Sequence, residues 1–291
     1  MSTLKYLILT MRPKQWSKNL IIFAGVVFGN RLFHFNEMFL ATTAFVLFCG
    51  ISSAVYLLND LVDIEKDRQH PKKRFRPLPS GKLNPNVAKV GLFALVLLII
   101  PLSFLLEWRF GLVLTSYFFL QIAYCFYLKN VVIIDVFTIA AGFVLRAVAG
   151  AFVIDVTVSV WLLVCTMLLA LFQGLSKRRH ELVLLADGAT DHRRILKEYS
   201  AELVQEMISV VTSAVVIAYS LYTITAPNLP KNNLMALTIP FVLYGIFRYL
   251  YLVYRKDEGG SPEEILIKDI PMLVAVALWG LSSIVILYVF K

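Results

Sequence analysis

Charge is what this 291-residue sequence has least of: 16% of its residues are charged, against 59% hydrophobic ones, and the mean hydropathy is +0.75. That balance excludes an ordinary soluble domain, where about 25% of residues are charged. Strict alternation of apolar and polar residues is missing too, which argues against a closed barrel of strands. There are three cysteines, Cys49, Cys125 and Cys165. All lie in apolar stretches at spacings no metal site uses, so they are packing residues. Met1 to Lys18 scatters its bases among short apolar pieces without a small-residue cleavage pattern, and so does not read as a cleaved leader.

What is present is a series of apolar runs, each close to the ~20 residues a bilayer crossing needs. They cover about 19–36, 38–58, 87–107, 110–128, 133–154, 158–175, 203–225, 233–254 and 271–290. Lipid offers backbone N–H and C=O groups no partners, so each run is a helix. The expectation is an all-α polytopic membrane protein, a single integral-membrane domain over 1–291 with about nine transmembrane helices.

Orientation follows from the bases, because Lys and Arg collect in cytoplasmic loops. With the N-terminus placed in the cytoplasm, 22 of the 28 Lys and Arg residues fall on that side. Arg31, Arg109, Lys231 and Lys291 fall opposite, and Arg146 and Arg248 lie inside spans. The positive-inside bias and anionic headgroups account for the net charge of +9 with no nucleic-acid partner. The expected location is the inner or plasma membrane, multi-pass, with the polar segments 59–86, 176–200 and 255–270 in the cytoplasm. Any active site in polar side chains then faces the cytoplasm. The sequence leaves oligomerisation open.

The first of these segments begins NDLVDIEKDRQHPKKRFRP, residues 59–77. If the helix continues past Leu58, Asn59, Asp63 and Asp67 stack at successive i, i+4 turns with Asp60 in the same arc. Bare carboxylates so placed repel one another, and a hard cation such as Mg²⁺, which takes oxygen ligands, relieves that. His70-Pro71 should break the helix, and Lys72, Lys73, Arg74, Arg76 and Lys82 follow in a Pro- and Gly-punctuated loop. Acids beside bases suit a metal-bound diphosphate, whose remaining charge Lys and Arg neutralise; the plain alternative is a positive-inside anchor.

Other candidates lie at the same edge. Tyr124, Tyr127, Lys129 and Asp135 flank the junction of the fourth and fifth runs. Arg146 lies about 16 Å further along that helix, and is either a structural ion-pair partner or a functional cation facing the protein interior. Lys177 opens a basic cluster, SKRRHEL at 176–182. Arg12, Lys14 and Lys18 surround Trp16, a composition that suits headgroup depth and capture of a lipid phosphate.

Asn59-Asp60-x-x-Asp63-x-x-x-Asp67 resembles the first aspartate-rich motif of the UbiA superfamily of intramembrane prenyltransferases, whose nine-helix bundle matches the expected architecture. The longer pattern adds RPKQWSKN at 12–19, HPKKRFRP at 70–77, DVFTIAAGFVLRAVAG at 135–150 and SPEE at 261–264. It resembles the decaprenyl-phosphate phosphoribosyltransferase branch over nearly the whole chain. The second aspartate-rich motif of the aromatic prenyltransferases is reduced here to Asp135 alone, with Lys129 nearby.

The resemblance implies an Mg²⁺-dependent phosphoribosyltransferase. Its donor is 5-phosphoribosyl 1-diphosphate, its acceptor a polyprenyl (decaprenyl-like) phosphate, and diphosphate is released. It implies metal ligation by Asn59, Asp63 and Asp67, and catalytic roles for Asp60, Asp63, Asp67 and Lys73. Substrate contacts are expected from Arg12, Lys14, Lys18, Lys73, Arg74, Arg76, Tyr127, Lys129, Asp135, Arg146 and Lys177, and cell-wall lipid synthesis is one destination for the product. His70 and His180 are read as positioning or donor groups. Two other readings compete: a prenyltransferase joining a prenyl diphosphate to an aromatic or glycerol-phosphate acceptor, and a transporter. The transporter would need mid-membrane acids and repeated halves, whereas here the acids gather at one surface.

Overall fold

The computed structural model describes residues 3–71, 73–157, 159–186, 194–256, 265 and 268–290, and among them it contains helices and no strand. Lys72 and the 261–264 segment lie outside the described residues. The helices are α1 Thr3–Thr10, a 3₁₀ helix Pro13–Phe23, α2 Ala24–Phe28, α3 Phe35–Val62, α4 Ile64–Gln69, α5 Pro85–Leu106, α6 Trp108–Phe126, α7 Ile134–Val153, α8 Val160–Ala186, α9 Ala201–Thr225, α10 Ile239–Arg255 and α11 Ile270–Val289. Short 3₁₀ turns occur between them.

Eight helices among the described residues are long and apolar enough to cross a bilayer, where nine runs were expected. The difference is the run at 19–36. Its residues 19–23 finish the 3₁₀ helix that begins at Pro13 and carries Lys14, Ser17 and Lys18, Ala24–Phe28 form α2, and the run closes at the start of α3. A 3₁₀ helix rises ~2.0 Å per residue, so residues 13–28 cover about 30 Å, the depth of a hydrocarbon core.

The chain divides into two compact units. The first takes residues Met1–Val26, His34–Val131 and Leu145–Val156, with α3 at its centre against α5, α6 and the 3₁₀ helix. Small residues let the backbones approach, since lipid supplies no hydrophobic drive and packing does the work. Gly150 on α7 is the clearest case: a Cβ there would stand 2.0 Å from the Ile22 carbonyl oxygen. Asn84 caps α5 by accepting from Asn86 N–H, and Glu107 caps α6 by accepting from Phe110 N–H. In the connection from α4 to α5, Leu78 and Leu83 are buried in a core with Ala54, Leu57, Ala88 and Leu92. Gly81 supplies the positive φ, 74°, that the turn between them needs. Arg76 therefore sits on an anchored loop.

The second unit takes residues Val27–Phe33, Val132–Val144 and Thr157–Lys291. Here α8 packs along α9 and α10 along α11, around Val136, Ala140, Phe172, Leu175, Ile208 and Leu252. Arg248, unusual inside an apolar run, reaches both carboxylate oxygens of Asp269, at 3.1 and 2.8 Å. Asp269 also caps α11 at Met272 N–H, and the bond from Arg248 holds its carboxyl below the ordinary carboxylate range.

Candidate active site

α3 ends at Val62, Asp63 has φ −97° and ψ 10°, and α4 begins at Ile64. The expected continuous helix is thus kinked at Asp63. Its backbone ladder nevertheless persists, with Asp63 N–H on the Asn59 carbonyl at 3.0 Å and Asp67 N–H on the Asp63 carbonyl at 2.8 Å. The helix then ends as expected: His70, before Pro71, is extended at φ −80°, ψ 131°.

The acids pair differently from the expected Asn59, Asp63, Asp67 stack. Asp60 and Asp67, seven residues apart, share one guanidinium: Arg76 Nη1 lies 2.6 Å from Asp67 Oδ2 and 3.3 Å from Asp60 Oδ1. Their side chains are 2% and 5% exposed. Asp60 also pairs with Arg12, itself stacked 4.9 Å from the Tyr56 ring centroid, and Lys73 Nζ stands 4.0 Å from Asp67. Asp63 turns elsewhere, and both its oxygens take the buried Lys129 ammonium at 2.9 Å. Asn59 Oδ1 accepts a long contact from Cys125 Sγ at 3.7 Å. Three acids and four bases, Arg12, Lys73, Arg76 and Lys129, therefore meet in one unit.

Among the described residues, no group of three or more His, Cys, Asp or Glu side chains is arranged to hold a metal. The donor set still suits a hard cation. It is all oxygen, from carboxylates and an amide, and four protein cations already stand where positive charge is wanted. Mg²⁺ commonly takes only one or two carboxylates, filling its shell with water and substrate phosphate oxygens.

Deeper in the same unit, Arg146 donates to Asn19 Oδ1 at 2.7 Å and to Tyr117 OH at 2.8 Å, with its guanidinium 4.6 Å from the Tyr117 ring centroid. Asn19 in turn donates to Ser52 Oγ and Cys49 Sγ, both at 3.3 Å. The close approach at Gly150 lies one helical turn from Arg146, which sets the register of this network. Trp16 Nε1 donates to Ser53 Oγ at 3.1 Å. Lys14, Arg74 and Tyr127 are exposed and Lys18 is partly buried.

In the second unit Asp135 is wholly buried. Arg178 Nε donates to its Oδ2 at 2.8 Å, and Tyr199 OH donates to its Oδ1 at 2.8 Å. Arg178 also pairs with Glu181. The Tyr199 oxygen accepts the Ile133 N–H at 2.7 Å. Burial, aided by the neighbouring carboxylate, pushes the Tyr199 phenol up to about 12, so it stays a donor at neutral pH. Ile133 has φ 68°, a left-handed conformation that costs a β-branched residue roughly 1–2 kcal/mol.

Sequence reasoning singled out Lys177 and passed over Arg178. The signal was there: Leu171, Leu175 and Arg178 fall at helical spacing on one face of α8, and that face is buried, while Lys177 points outward. Nothing in the sequence marked Tyr199 or Tyr117 as partners of a buried charge.

The model of the UbiA prenyltransferase family matches residues 19–264. The chain belongs to that family. It is 33% identical to the decaprenyl-phosphate phosphoribosyltransferase of Corynebacterium glutamicum, over 97% of this chain and 87% of the relative. It is also 33% identical to the protein of that name from Mycolicibacterium smegmatis, over 94% and 89%. Among solved structures, a UbiA homolog from Archaeoglobus fulgidus bound to GPP and Mg²⁺ superposes with a TM-score of 0.72 at 16% identity, over 97% of this chain and 99% of that one. This chain is a UbiA-family transferase and a multi-pass membrane protein.

Proposed function

We propose that this UbiA-family enzyme transfers the 5-phosphoribosyl group of 5-phosphoribosyl 1-diphosphate to a polyprenyl phosphate and releases diphosphate. The observation that carries this reading is the cluster in which Arg12, Lys73, Arg76 and Lys129 are wired to Asp60, Asp63 and Asp67. An acid set alone would suit a cation, and a base set alone an anion. The combination suits a cation and an anion arriving together, as a metal diphosphate does. The curated relatives' names, at one-third identity over most of both chains, support the donor and acceptor.

Asn59, Asp63 and Asp67, with Asp60 in support, would hold Mg²⁺, which when bound supplies oxygen-coordinated positive charge to the leaving diphosphate. The chain's own part is an exchange of counter-ions. Arg76, Lys73 and Lys129 turn from the carboxylates to phosphate oxygens and offset the negative charge that builds as the bond to ribosyl C1 breaks. Arg74 adds to this from the exposed side of the loop. The lipid phosphate oxygen attacks C1, and the diphosphate departs with the bonding electrons. No general base is required, since a phosphate monoester with a second pKa near ~6 is mostly ionised. Arg12, Lys14 and Lys18 are assigned to the lipid phosphate. The acid-bearing end faces the cytoplasm of the inner or plasma membrane, a reading supported by the bias of the bases.

The test is donor choice. Purified protein with Mg²⁺ should release diphosphate from phosphoribosyl diphosphate only when a polyprenyl phosphate is present. Prenylation of an aromatic acid from a prenyl diphosphate would overturn the assignment.

A further inference from the structure

The 3₁₀ helix Pro13–Phe23 runs for 11 residues, where runs beyond about 3–4 are uncommon. Its side chains follow the three-residue repeat of that winding. Lys14, Ser17 and Leu20 are exposed, while Asn19 and Ile22 are buried in one row with the half-buried Pro13 and Trp16. Contacts from outside the segment must hold so long a run, and residues of α3 and α7 in the same unit make them. On α3, Ser52 and Ser53 donate their hydroxyls to the Phe48 and Cys49 carbonyls. Their oxygens then accept from Asn19 at 3.3 Å and from Trp16 at 3.1 Å. On α7, Arg146 donates to Asn19 at 2.7 Å, and one turn further Gly150 lies against the Ile22 carbonyl. The two α7 contacts are four residues apart on an α-helix, a rise of ~6.0 Å. Asn19 and Ile22 match that as three residues of 3₁₀ helix, which also rise ~6.0 Å and return to the same face. Wound as an α-helix they would rise only ~4.5 Å and turn ~300°. The winding also places the bases. Lys14 and Lys18 stand ~120° apart in the 3₁₀ form, but would share one face, ~40° apart, in an α-helix.

We propose that Arg146 is a positioning residue: through Asn19 it holds residues 13–23 in the 3₁₀ winding, and so fixes how Lys14 and Lys18 meet the lipid phosphate. The inference rests on the assignment of those two lysines to the polyprenyl phosphate. Gly150 lets the two backbones approach, and the bond from Arg146 fixes which residue of the segment faces α7. Arg146 is 7% exposed and spends its donors on Asn19 and on Tyr117. It acts on the acceptor without touching it.

A double-mutant cycle between Arg146 and Asn19 tests this, read as initial rates of the full chain in detergent with each substrate varied in turn. Arg146→Met and Asn19→Ala should each raise KM for the polyprenyl phosphate about tenfold and leave KM for the phosphoribosyl donor within about twofold. The double variant should be no worse than either single one, because both remove the same link; independent effects would multiply to about a hundredfold. Arg146→Gln places an amide N–H where Arg146 Nε stands, and without the charge it should keep the acceptor KM within about threefold of the parent. Thermal unfolding identifies folded variants. If Arg146→Met does not fold, Asn19→Ala and Arg146→Gln carry the test, the first raising the acceptor KM and the second keeping it. A multiplied effect in the double variant, or an Arg146→Gln as poor as Arg146→Met, would mean that the guanidinium meets the phosphate itself, and the proposal fails. It fails equally if a folded Asn19→Ala keeps the parental acceptor KM. If Lys14→Ala and Lys18→Ala both leave the acceptor KM unchanged, the assignment of those lysines falls first and takes the proposal with it. A parent that transfers nothing to polyprenyl phosphate removes the reading of the reaction on which both depend.

Discussion

Arg76→Ala separates the two charges that the counter-ion exchange joins. In the parent, one nitrogen of Arg76 serves two carboxylates that are 2% and 5% exposed. Removing one partner of a fully buried pair costs about 3–5 kcal/mol, and an exposed pair is worth about 0–1 kcal/mol. Arg76 lies between these limits, 30% exposed, while Asp60 keeps Arg12 and Asp67 keeps Lys73 at 4.0 Å. The loss should therefore be about 2 kcal/mol, a fall in Tm of roughly 4–8 °C at ~2–4 °C per kcal/mol. The informative part is the response to metal. With the guanidinium gone, the carboxylates need another cation, so Mg²⁺ should stabilise the variant more than the parent. A tenfold tighter site would appear as up to ~1.4 kcal/mol of extra stabilisation at saturating metal. Donor affinity should move the opposite way, because Arg76 no longer meets the diphosphate. Thermal unfolding in detergent, with and without Mg²⁺ at matched ionic strength to remove general screening, measures both stability terms. If Mg²⁺ stabilises Arg76→Ala no more than the parent, the acids do not form a cation site.

Asp63→Asn and Asp67→Asn should each leave a folded protein with less than a tenth of parental transfer at saturating Mg²⁺, a barrier increase above ~1.4 kcal/mol; initial rates check this. Gly150→Ala should cost about 1–3 kcal/mol in thermal unfolding, because the added carbon meets backbone at Ile22, whereas Gly280→Ala, with open space around it, should be neutral or slightly stabilising. Lys73→Ala should raise KM for the phosphoribosyl donor, and Lys14→Ala or Lys18→Ala that for the polyprenyl phosphate; steady-state kinetics with each substrate varied in turn separates the two groups.

The spans were legible because a bilayer demands long apolar helices, and eight of the nine expected runs appear as such helices. The run at 19–36 was not legible as a 3₁₀ helix, because nothing in its hydropathy reports rise per residue. What holds it is the glycine contact between Gly150 and Ile22, more than a hundred residues apart in the chain. The acids were visible as a cluster at an inner edge. Their partners were not, because the helical period places the acids only relative to one another: Asp63 meets Lys129, 66 residues further on, while Asp60 and Asp67, two turns apart on one face, converge on Arg76 in the following loop. Asp135 was noticed for its charge, but its burial depends on Arg178 and on Tyr199, 64 residues away, a pairing that only the folded chain brings about.

The most direct measurement of the central claim is transfer of label. Purified protein is incubated with Mg²⁺, a polyprenyl phosphate and phosphoribosyl diphosphate radiolabelled in the ribose, and the mixture is extracted with organic solvent. Label should enter the organic phase only when lipid phosphate and Mg²⁺ are both present, with one diphosphate released per labelled lipid, and Asp63→Asn should abolish it. Label that stays in the aqueous phase, from a folded protein supplied with both substrates, would contradict the claim.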